Sequence, residues 1–166
     1  GVSYLFTAVI EMVHMLAYQG MGVFSDGPNL PTQLWLALRY VQAITLVVAP
    51  LAIGRKLSFR TIIAGYAAIT SALLSLVFLG LFPAAYVEPT GLTQFKVLSE
   101  YAIMALAALG GVLLYLKRSS FDRRIHLLLM AAVLMFILAE LMFISYISVY
   151  SAINMLGHLF ILAEFF

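Results

Sequence analysis

Six apolar runs, each of about 20 residues and set off by turn residues or basic charge, dominate this chain, and that is the length an α-helix needs to cross the hydrocarbon core of a bilayer. A soluble domain of 166 residues has too little interior to hide them. Hydrophobic residues make up 64% of the chain and charged residues 10%, against roughly 45–50% and 25% in soluble domains. The sequence therefore predicts an all-α fold: a polytopic transmembrane helix bundle of about six spanning helices. It reads as a single transmembrane domain over residues 1–166, with helices at 1–18, 32–53, 59–81, 93–116, 121–143 and 149–166. Only residues 145–148 separate the last two, so one long kinked helix is the alternative there, although the combined length favours two antiparallel spans. The chain opens inside its first run without Met or a charged leader, which argues against a signal peptide. Residues 160–166 are still apolar, and both ends read as cut from something longer.

Turn chemistry marks the boundaries. Ser25-Asp26-Gly27-Pro28-Asn29-Leu30-Pro31 is dense in helix breakers, and Thr32 is placed to cap the second helix. Pro83 and Pro89-Thr90-Gly91 interrupt the third loop, and no loop shows strand alternation. Ser119-Ser120 lead to Asp122, an acid for the first turn of the fifth helix. Gly110-Gly111 suits close helix packing. Arg55, Lys56 and Arg60 lie in the second loop and Lys117, Arg118, Arg123 and Arg124 in the fourth, whereas the other three loops carry no Lys or Arg. The positive-inside rule places the basic loops, and with them the C-terminus, in the cytoplasm.

Some chemistry is excluded. With no cysteine there is no disulfide framework, thiolate metal site or thiol nucleophile. A net charge of +2 without a basic face speaks against a nucleic-acid partner.

What remains is polarity inside apolar runs. An ionisable side chain at mid-bilayer costs about 2.5–3.5 kcal/mol even on insertion scales, so Glu11, His14, Arg39, Glu100, Glu140 and His158 each need a reason to be there. Gln42, Tyr146, Tyr150 and Asn154 add uncharged polarity, and Lys96 sits near the start of the fourth helix. Tyr4, Thr7, Glu11, His14 and Tyr18 are spaced 3, 4, 3 and 4 apart, and Tyr150, Asn154 and His158 every four, so each set shares a helix face. Arg39 and Gln42 are three apart, Lys96 and Glu100 four. With the orientation above, these groups fall between mid-membrane and the outer surface, and the inner half is apolar apart from Glu164. An outer-half polar cavity accounts for them economically. The structural alternative is mutual neutralisation, with Arg39 paired to Glu100 or Glu140. Tyr18, although it shares the polar face of the first helix, suits the interfacial aromatic belt together with Trp35 and Tyr146. His126 follows an Arg pair and reads as a surface residue.

Glu11-x-x-His14 has the spacing of carboxylate-bridged two-metal sites in helix bundles. With Glu100, Glu140 and His158 it would supply nitrogen and oxygen ligands for zinc, iron, manganese or copper. His14, His158, Glu11 and Glu140 are the candidate metal ligands. Two histidines on different helices would equally serve a haem. The residues permit either and require neither.

Several strings resemble a bacterial and archaeal family, the third type of membrane-associated sensor domain. They are Met12-Val13-His14-Met15-Leu16-Ala17-Tyr18-Gln19-Gly20-Met21-Gly22-Val23-Phe24; Asn29-Leu30-Pro31-Thr32-Gln33-Leu34-Trp35 with Arg39-Tyr40; Gly91-Leu92-Thr93-Gln94-Phe95-Lys96 with Ser99-Glu100-Tyr101; and Ala139-Glu140-Leu141, Ser148-Val149-Tyr150 and Asn154-Met155-Leu156-Gly157-His158. They run in order along almost the whole chain; around Ile161 and Glu164 the sequence departs from the family pattern. The resemblance implies a signalling input domain in the plasma (inner) membrane of a prokaryote. It also implies further helices before residue 1 and a cytoplasmic PAS, histidine-kinase or cyclic-di-GMP-synthase module in the same polypeptide. Its implied polar residues are His14, Arg39, Glu100, Glu140, Tyr150, Asn154 and His158.

Three functions follow for comparison. A sensor, expected to work as a homodimer, would bind a ligand, metal or cofactor through Glu11, His14, Tyr18, Arg39, Glu100, Glu140, Tyr150, Asn154 and His158, and signal through its last helix. A haem- or metal-binding membrane oxidoreductase would need an open coordination position. A transporter would need polarity through both leaflets, which the apolar inner half does not offer.

Overall fold

The structure is a computed structural model describing residues 1–18, 20–24, 27–145 and 152–164, with the backbone alone at 145, 153, 154, 163 and 164. Among these residues the helices are α1 (Val2–Leu16), α2 (Asn29–Ala52), α3 (Phe59–Phe78), α4 (Gln94–Leu116), α5 (Arg123–Ser145) and α6 (Ala152–Glu164). A short ribbon, β1 (Tyr86–Val87) with β2 (Gly91–Leu92), precedes α4, and one 3₁₀ turn, Arg118–Ser120, precedes α5. The all-helical expectation holds. Four of the six helices, α2, α3, α4 and α5, are long and apolar enough to cross a bilayer; α1 is described over 15 residues and α6 over 13.

Helix ends move where a local bond decides them. α2 starts three residues before Thr32, because Pro31 falls in the first turn, where a missing N–H costs nothing. Thr32 does not cap the helix. Its N–H makes an i→i−4 bond to Pro28 O (3.3 Å) and its hydroxyl donates to the same oxygen (2.6 Å). α3 stops at Phe78, short of the expected residue 81. Gly80, at φ +70°, turns the chain left-handed, and Leu81 N–H and Gly80 N–H bond back to Leu76 O and Val77 O at 2.9 and 3.1 Å, the paired arrangement that closes a helix C-terminus. Asp122 lies just outside α5 and caps it, Oδ1 accepting from Arg124 N–H at 2.8 Å.

The chain divides into two compact units, one of residues 1–42 and 54–96, the other of 43–53 and 97–166. In the first, Phe6 stacks on Tyr66 with ring centroids 6.0 Å apart, and Ala17 packs with Val77 and Leu34. α1 and α3 therefore run parallel and end together beside the start of α2. The connection before α4 is tied to that same end. Asn29 Oδ1 accepts from Ala85 and Tyr86 N–H at 2.9 and 3.0 Å. Gln33 Nε2 donates to Phe82 and Pro83 carbonyls at 2.9 and 3.0 Å. Thr93 donates to Ala84 O and caps α4 by accepting from Lys96 N–H. Where only an interrupted loop is expected, Tyr86 pairs with Leu92 and Val87 with Gly91, and Gly91 supplies the positive φ, +86°, that the return needs.

In the second unit, Phe143 and His158 meet edge-on at 5.2 Å, although 15 residues of one continuous helix would hold them about 20 Å apart along its axis. α5 and α6 are thus two helices packed side by side. α4 approaches its neighbours through two glycines. A Cβ at Gly110 would sit 2.9 Å from the C, Cβ and O of Leu46 on α2, and one at Gly111 would sit 3.2 Å from Val133 Cγ1 on α5. Leu46 O is also the carbonyl that loses its i+4 donor to Pro50, so Gly110 covers the weakest point of α2's hydrogen-bond ladder. Gly110→Ala should lower the thermal midpoint in detergent, by the equivalent of about 1–3 kcal/mol of overpacking. Gly65→Ala on α3, where a Cβ meets nothing within 4 Å, should leave it unchanged or raise it. Equal losses from both would contradict the close α2–α4 approach.

Candidate functional site

His14, Arg39 and Gln42 meet on one stripe of α2. Pro31, Trp35, Arg39 and Gln42 are spaced 4, 4 and 3 apart and share a face. His14 comes to this stripe from the last turn of α1. It is buried, at 7% exposure, and its Nδ1 lies 2.8 Å from Pro31 O. A carbonyl can only accept, so Nδ1 carries the hydrogen.

Trp35 is the centre of the group. The His14 ring lies 5.7 Å from its indole, and the Arg39 guanidinium carbon 5.4 Å from its ring centroid, within cation–π range. Arg39 is fully buried, and its Nη1 donates to Gln42 Oε1 at 2.9 Å. Tyr18, half-buried, presents an edge to His14 at 6.2 Å. Trp35 itself is only 7% exposed, so the belt assignment fails for it: the indole lies inside the unit between a histidine and an arginine. Its spacing from Arg39 was the available signal.

The proposed polar face of α1 is divided. Thr7 and His14 are buried, Glu11 is partly exposed and Tyr4 exposed. Thr7 spends its hydroxyl on Tyr4 O at 3.2 Å. Lys96, in the first turn of α4, is fully buried in this unit. In the second unit Glu100 on α4 and Glu140 on α5 are fully buried too. His158 is exposed on α6 with its ring against Phe143, and Gly157 beside it lets that ring in: a Cβ there would lie 2.7 Å from Phe143 Cζ. Tyr150 and the Asn154 side chain lie outside the described residues. Among the described residues, no three His, Asp or Glu side chains gather closely enough to hold a metal ion; the metal ligand set read from the sequence is not assembled there.

The group brings together an indole, a guanidinium and an imidazole, all buried. A family model described as MASE3, membrane-associated sensor domain, matches residues 1–166. No curated protein and no solved structure matches the chain.

Two outcomes test the site as described. Trp35 is the single tryptophan, so emission excited selectively at the red edge, where tyrosine does not absorb, reports this position alone. It should be that of a buried indole, and a water-soluble quencher should leave it almost unchanged; strong quenching would return Trp35 to the interface. Arg39→Ala removes a buried charge, a charged hydrogen bond and a cation–π contact, and should cost about 3 kcal/mol or more. Val48→Ala on the exposed side of α2 should cost far less; the comparison is made by thermal unfolding in one detergent.

Proposed function

Because the chain belongs to the MASE3 family of membrane-associated sensor domains, we propose that it reads a small ligand with the His14–Trp35–Arg39 group and passes the result to a cytoplasmic output module. The observation that carries this reading is the enclosure of Trp35 by a buried histidine and a buried arginine. Apolar side chains would pack a membrane unit at far lower cost, so this polarity implies a binding role.

The basic loops after α2 and α4 orient the chain with those loops in the cytoplasm of a prokaryotic cell. The group built on the α1 end and the α2 start then faces the outer half of the plasma membrane. The ligand shifts an equilibrium between two helix arrangements by its differential affinity for them; a tenfold preference corresponds to about 1.4 kcal/mol. α6 hands the shift to a PAS, histidine-kinase or cyclic-di-GMP-synthase module in the same polypeptide, with the receptor working as a homodimer. Glu100, Glu140, Tyr150, Asn154 and His158 belong to the same sensing function.

A second reading retains a metal or haem. It draws on the His14 hydrogen bond, since donating one ring N–H to a carbonyl is how ligating histidines are held. The visible spectrum and bound-metal content of the purified protein separate the two. A haem band or a stoichiometric metal lost in His14→Ala would favour the cofactor. A colourless, metal-free protein leaves an organic or lipid-like ligand.

In a receptor carrying its output module, His14→Ala and Trp35→Phe should each abolish the dependence of output on stimulus while membrane expression stays at the wild-type level. Normal responses in both variants would refute the site.

A further inference from the structure

The α4–α5 connection concentrates charge on the second unit. Lys117, Arg118, Arg123 and Arg124 are all exposed, and the segment from 117 to 124 holds a single acid, Asp122. That acid is committed to the helix, as its Oδ1 accepts from Arg124 N–H at 2.8 Å. Arg118 is steadied by a ring instead: its guanidinium carbon lies 4.7 Å from the Tyr115 ring centroid, and its Nη1 lies 3.4 Å from Tyr115 O. The same ring meets His126, in the first turn of α5, at 6.3 Å. Tyr115 thus braces the end of α4, the connection and the start of α5 into one piece.

Apolar side chains flank the cations. Leu116, Ile125, Leu127 and Leu128 are 52–65% exposed, and α4 and α5 are both of spanning length. Only residues 117–122 join the two helices, so the connection is too short to carry its charges away from the layer where those helices leave the hydrocarbon. A basic surface fixed at headgroup depth beside apolar side chains is complementary to a phosphodiester with acyl chains, and guanidinium forks match phosphate oxygens.

We propose that the α4–α5 connection is a binding site for anionic phospholipid headgroups, with Arg118 and Arg124 as its principal phosphate contacts. A soluble phosphate ester would offer the same anion. The exposed leucines and isoleucine favour the lipid, because only a lipid makes use of them.

The test uses the full chain in mild detergent with equal amounts of phosphatidylglycerol and phosphatidylcholine of the same acyl length, and native mass spectrometry to count retained lipid. Phosphatidylglycerol should be retained in preference by about tenfold. The preference should fall several-fold in the R118Q/R124Q double variant and largely persist in R118K/R124K, which keeps the charge and checks against misfolding. No headgroup preference in the wild type, or the same preference in wild type and R118Q/R124Q, would overturn the site. Displacement of phosphatidylglycerol by an equal concentration of chain-free glycerophosphoglycerol would overturn the lipid as its occupant and point to a soluble phosphate.

Discussion

Lipid offers no hydrogen bonds, so whatever polar group this chain takes into its apolar helices must be answered by the chain itself. That constraint organises the first unit. The histidine of α1 is answered by a carbonyl in the first turn of α2, and the arginine two turns further on by an indole and an amide. The same necessity explains the connection ahead of α4. Its backbone N–H and C=O groups are taken up by the side chains of Asn29, Gln33 and Thr93. A loop held this way positions the beginnings of α2 and α4 together with the ends of α1 and α3.

The second unit relies on small residues instead. Gly110 and Gly111 bring α4 against backbone on one side and a valine on the other, and Gly157 admits an aromatic ring to the backbone of α6. Without a hydrophobic force between helices in lipid, such close approach is the main source of specificity. Among the described residues, Glu100 and Glu140 are the fully buried carboxylates of this unit.

Much of this was legible from residues alone. Apolar runs and breakers point to the four described helices of spanning length, because bilayer thickness imposes a length on spanning helices and glycine or proline ends them. His14 and Arg39 stand out through the cost of burying them. Other features depend on geometry that one-dimensional spacing does not carry. Thr32 looks like a cap until Pro31 proves tolerable inside the first turn. Gly80 ends α3 through a backbone angle rather than a residue pattern. Trp35 at a helix start satisfies the aromatic-belt pattern and the interior pattern equally, and only the placement of His14 beside it separates them. The Glu11-x-x-His14 spacing matches a metal motif, yet the two side chains differ in burial, since a three-residue step spans about 60° of helix azimuth.

The fit of Phe143 over Gly157 limits how α6 can turn against α5. Each residue along a helix turns about 100°, and on either side of Gly157 stand Leu156 and His158. Spinning α6 on its own axis would bring one of those side chains into a gap that tolerates only a hydrogen atom. The pair α5–α6 is keyed, like a shaft in its slot, so torque reaching either helix is carried by both.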